Sequence, residues 1–98
     1  MKVMPRRSIA EKILKEVEIS DDKGKYIIVY DFPLRYGEKI SIKFYKNLHR
    51  ILLHDKNSIN IQKSVIMVSS LKISKAIAKL IKHYGGKVQI FRVHEEII

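Results

Sequence analysis

Residues 26–31 read Tyr-Ile-Ile-Val-Tyr-Asp, and Phe32 and Pro33 follow. Five consecutive β-branched or aromatic side chains, Tyr26 to Tyr30, fit a pleated packed surface better than a helix, so the run predicts a strand. Both of its faces are apolar, which places it inside a sheet rather than at an edge. Pro33 has no N–H to give a neighbouring strand, so regular pairing ends there. Asp31 is thereby set at the mouth of a buried strand, the first position expected to carry chemistry.

The flanking chain supplies elements to cover that strand. Ser8 and Glu11 have capping-box spacing, and Ile9, Ile13, Leu14 and Val17 recur at helical intervals, which predicts a helix over about residues 8–18. Arg6 and Arg7 precede it and could touch phosphate or simply face water. The segment Ser20–Lys25 is a polar turn; its adjacent Asp21 and Asp22 suit either a metal ion or Asx-type hydrogen bonds. Residues 32–37 form a loop. A second helix is expected over about residues 38–54, with Ile40, Phe44, Leu48, Ile51 and Leu52 on its apolar stripe. Lys39, Lys43, Lys46 and Arg50 lie off that stripe as a basic ridge, with Asn47 alongside. Such a ridge can follow a phosphate backbone or be an ordinary solvated face.

Residues 59–68 are rich in strand formers, but Gln62 and Lys63 interrupt them, which predicts a bulge or two short strands meeting there. Ser69 and Ser70 can cap the helix that follows, about residues 71–84. Its stripe is Ile73, Ile77, Leu80, Ile81 and Tyr84, and its polar face carries Lys72, Lys75, Lys79 and Lys82. Gly85 is placed for a left-handed helix end. A last strand is expected from Lys87 to His94, and the remaining residues extend it or add a short strand. His49 and His54 are five apart, off the spacing a metal pair needs on a helix, and His83 and His94 have no ligand-spaced neighbour. No phosphate loop or nucleophile motif is present.

A chain of 98 residues makes one domain with a modest core and little room for an enclosed pocket. Zero cysteines exclude disulfides and thiolate metal sites. No apolar run reaches membrane-spanning length and no signal-type segment opens the chain, so a cytoplasmic protein without membrane association is expected. The net charge is +10, with thirteen bases against five acids over residues 26–98 and seven against five over residues 1–25. A polyanion, most often nucleic acid, is the natural partner; a lysine-rich solvated surface is the plain alternative.

After the first helix the order is strand, helix, two short strands, helix, strand. That is an α+β chain of the ferredoxin-like plait type, βαββαβ, with an extra N-terminal helix and a mainly antiparallel sheet. Residues 1–25 are read as a helical extension and linker, and residues 26–98 as the ferredoxin-like domain.

The stretches YIIVYD at 26–31, IQKSVIMV at 61–68 and YGGKVQIFRV at 84–93, in this order and spacing, resemble the small CRISPR-associated proteins that partner the Cas-one integrase, the Cas-two family. The resemblance covers about residues 26–94. It implies a ferredoxin-like homodimer in which Asp31 of each subunit is the metal-binding and catalytic position, the pair holding one Mg²⁺. Some members are described as metal-dependent endonucleases on RNA or duplex DNA, and others serve as scaffold of the integrase complex in spacer acquisition. Arg35 falls where the family tends to have arginine, and Ser64 matches a strand serine. The chain lacks the arginine cluster that commonly follows the family's aspartate. The sequence therefore leaves two further readings open: a non-catalytic DNA- or RNA-binding protein on the same fold, and a regulatory interaction protein of a mobile element. Nucleic-acid contact is expected through Arg35, Lys39, Lys43, Lys46, Arg50, Lys72, Lys75 and Lys79. A classical RNA-recognition motif is disfavoured, because the last strand lacks the base-stacking aromatic pattern.

Overall fold

Strand β1, Lys23–Asp31, is flanked by a strand on each side, as its apolar faces require. The structure, a computed structural model, describes residues 8–17, 21–95 and 97. Helix α1 is Ile9–Glu16, α2 Ile42–Leu52 and α3 Leu71–His83; β2 is Ile59–Gln62, β3 Val65–Ser70 and β4 Lys87–Val93. Among the described residues these elements make an α+β fold of three helices and a four-stranded antiparallel sheet in the order β2-β3-β1-β4. The expectations for Arg6 and Arg7, and for the end of the chain at residues 96 and 98, lie outside the described residues.

The sheet has one covered face. Tyr26, Ile28 and Tyr30 of β1 alternate inward with Ile66 and Val68 of β3, and α3 packs on β1, β3 and β4 above them. Phe44, Leu48 and Ile51 of α2 and Ile73, Ile77, Leu80 and Ile81 of α3 close the same core. Each such side chain removed from water contributes about 1.5–3 kcal/mol before the entropy of ordering is subtracted. Helix α1 packs on α2 and α3 and sets Ala10, Ile13 and Val17 into that core. Phe32, Phe44, Tyr30 and Tyr84 form an aromatic cluster at the far end, with Phe32 and Phe44 4.8 Å apart edge to face.

Several boundaries move. The second helix starts at Ile42, not near Glu38. Ile40 shares the helical spacing, but Gly37 takes a left-handed φ of 85° in a turn, and the Ser41 hydroxyl caps the helix by accepting from the Lys43 N–H. The break at Gln62–Lys63 is a hairpin, its turn at Lys63 and Ser64. Ser8 and Ser70 cap α1 and α3 as their spacing predicts, and Gly85 adopts φ 84° after α3. Asn47 is not alongside the basic ridge but 6% exposed. Its Oδ1 accepts the Ala10 N–H at 3.0 Å, satisfying an orphan donor in the first turn of α1 and tying α1 to α2.

Candidate functional site

Asp31 ends β1 with its side chain exposed, on the sheet face turned away from the helices. Its cross-strand partner is Lys87, so an ammonium-bearing side chain stands directly opposite. Val29, Tyr30, Asp31, Lys87, Val88 and Gln89 line a shallow depression of ≈ 400 Å³. Among the described residues no group of three or more His, Asp or Glu side chains could hold a metal ion. A magnesium ion needs several hard oxygen donors, and here one carboxylate faces a cation. The described residues of a single chain therefore do not fit a magnesium site.

After Asp31, the loop to α2 is closed at both ends. Phe32 is packed into the aromatic cluster, and the Leu34 N–H donates to the Phe32 carbonyl at 2.8 Å. At the tip, the Glu38 N–H donates to the Arg35 carbonyl at 2.9 Å, and the Arg35 N–H donates to Glu38 Oε1 at 2.7 Å. This turn holds Arg35 and Tyr36 out into solvent. Sequence reading passed over Tyr36; the available signal was an aromatic beside a glycine, bracketed by Arg35 and Lys39.

The expected cations fall into two groups. Lys39, just before α2, and Lys43, Lys46 and Arg50 upon it are all exposed. On α3, Lys75 and Lys79 are exposed and Lys72 is half-buried. Lys79 Nζ lies 3.8 Å from Glu16 of α1, a solvent-exposed pair that contributes little to stability. Since α1 reaches Asn47 on one helix and Lys79 on the other, it bridges the two rows rather than leaving them one continuous patch. Lys75, Lys79 and Lys82 instead rim a groove of ≈ 680 Å³ over Val17, Val88 and Ile90.

Asp21 and Asp22, singled out in the sequence, are structural, and so is Asp55. Asp21 accepts from the Ser70 hydroxyl at 2.7 Å and the Lys72 N–H at 3.1 Å, with Lys23 Nζ 3.7 Å away. The Ser70 hydrogen bond, with Lys72 and Lys23, holds its pKa below the ordinary value despite some desolvation. Asp22 accepts from the Tyr26 hydroxyl and pairs with Arg92 at 3.3 Å. That hydrogen bond, with burial, raises the Tyr26 pKa. Asp55 is buried and accepts from the Ser69 N–H at 2.6 Å, the Ser69 hydroxyl at 2.7 Å and the Asn57 N–H at 3.0 Å. Burial alone would raise its pKa, but these donors outweigh it and the net shift is downward.

The uncovered sheet face carries a cross-strand apolar row. Ile59, Met67, Ile27 and Phe91 stand side by side through the registers of β2, β3, β1 and β4. Ile59 and Phe91 are each 52% exposed. Among the described residues no helix is long and apolar enough to cross a membrane. The chain matches no family model, no curated protein and no solved structure.

Proposed function

We propose that this chain is a dimeric nucleic-acid-binding protein on a ferredoxin-like plait, close in design to the Cas-two family, and that it binds rather than cleaves. The observation that carries the reading is α2. Between Glu38 and Asp55, Lys39 just before it and Lys43, Lys46 and Arg50 upon it are all exposed, with no acid among them. Uninterrupted cations at these spacings suit successive phosphates along a strand.

The plait is supported by the strand order, which read backwards is β4-β1-β3-β2, and by α2 and α3 each leading to a strand one removed from the strand before it. A homodimer is supported by the row Ile59, Met67, Ile27 and Phe91. A second copy of the same row is a self-complementary cover for it under two-fold symmetry. Binding is favoured over cleavage by the donor set at Asp31, where a lysine stands opposite the lone carboxylate.

The test is duplex binding measured against salt. The native chain should lose affinity steeply as salt rises, and Lys43→Glu with Arg50→Glu should weaken binding about tenfold or more and flatten the log–log slope by about 2. Affinity indifferent to salt would overturn the reading. Cleavage in Mg²⁺ or Mn²⁺ that disappears in Asp31→Asn would replace it with the nuclease reading.

A further inference from the structure

Among the described residues Tyr36 is the most exposed large hydrophobic side chain, at 107% of the reference value. It is not on a trailing end. Its turn is closed by the paired hydrogen bonds between Arg35 and Glu38, and the loop's root is Phe32, packed edge to face on Phe44. The ring is thus displayed from a braced turn, at the same end of the sheet as Asp31. Arg35 and Lys39 flank it, both exposed. The nearest acid in the turn, Glu38, spends its carboxylate on the Arg35 N–H. An aromatic face between two cations is the chemistry that engages a base and its flanking phosphates. Inside a duplex the base faces are already stacked on one another, so a projecting ring finds a partner only where a nucleotide is unstacked.

We propose that Tyr36 is a stacking platform for an unpaired nucleotide, with Arg35 and Lys39 on the phosphates beside it, and that the preferred ligand carries a single-stranded segment or a frayed end. This rests on the nucleic-acid reading above and names the substrate class for it. The lysine row of α2 supplies affinity that ignores base identity, and Tyr36 supplies the preference for open strands.

Two probes of equal charge separate the contributions: a single strand of about a dozen nucleotides and a strand of the same length made wholly of abasic sites. The native chain should bind the base-bearing strand about tenfold more tightly at one fixed salt concentration. Tyr36→Ala should abolish that ratio while leaving abasic affinity and salt slope unchanged, and Tyr36→Phe should keep it. Because Tyr36 is solvated, Tyr36→Ala should melt with the native chain. The sequence contains 0 Trp, so Tyr36→Trp installs a single indole whose emission should be quenched by the base-bearing strand and not by the abasic one. Equal, salt-sensitive affinities for both probes would overturn the stacking role and leave the nucleic-acid reading standing. Binding to neither probe at low salt would overturn the stacking role, and failure to bind duplex as well would remove the nucleic-acid reading. An unquenched indole, with strand binding intact, would reassign the ring to a protein contact.

Discussion

The two ends of the sheet both present carboxylates, and they use them in opposite ways. Where β1 begins and β3 finishes, Asp21, Asp22 and Asp55 are each engaged by named donors: the Ser70 and Ser69 hydroxyls, the Lys72 N–H, the Tyr26 hydroxyl and Arg92. These acids hold the linker, the turn after α2 and the start of α3 to one another. Where β1 finishes, Asp31 is exposed opposite Lys87, and Arg35 and Tyr36 of the loop that follows are exposed too. The acids that close the fold are satisfied by backbone, hydroxyl and guanidinium donors, whereas Asp31 stays exposed.

The contrast breaks first on a pair of alanines. Asp55→Ala strips the Ser69 and Asn57 donors of their acceptor and should cost about 2–4 kcal/mol in urea denaturation. Asp31→Ala should stay within about 0.5 kcal/mol. Equal losses would mean that Asp31 is structural too. A smaller effect tests whether the exposed end has a rigid root. A Cβ at Gly86 would stand 2.6 Å from Ile81 Cγ2 and 2.8 Å from Phe32 Cε1. Gly86→Ala should therefore cost about 1–3 kcal/mol through overpacking, and a neutral result would show a loose root. The smallest effect is acidic. Asp21 and Asp55 have pKa values below the ordinary 3.8 in the folded chain. Their contribution is complete above the unfolded value and is lost as pH falls through the folded one, so the urea midpoint should drop below about pH 4. Asp55→Asn should make that drop shallower.

Legibility in the sequence follows how local each interaction is. Residues 26–31 of β1, the hairpin break at Gln62 and Lys63, the Ser8 and Ser70 caps and Gly85 were readable, because strand propensity, capping and a left-handed glycine act within a few residues, whereas residues 23–25, read as a polar turn, open β1. Ile40 misplaced the start of α2: apolar spacing continues through it, while the Gly37 turn and the Ser41 cap fix the real boundary. Asn47 sits three residues after Phe44 and four before Ile51, so its place on the buried stripe was written in the spacing, but its polarity suggested the solvent side. Asp55 was not readable as structural, since its main partner Ser69 comes fourteen residues later, across the hairpin. Asp31 was readable as a strand-end acid, whereas Lys87 opposite it depends on the β1–β4 register, which no local pattern specifies.

That register also has a kinetic consequence. β1 is made before β4, yet β4 is one of its two flanking strands, joined through pairs such as Lys25 with Val93 and Asp31 with Lys87. Until β4 has emerged from the ribosome, one edge of this very apolar strand has no mate. Closing so distant a pairing slows folding. The lysines scattered through the later elements keep that waiting chain charged.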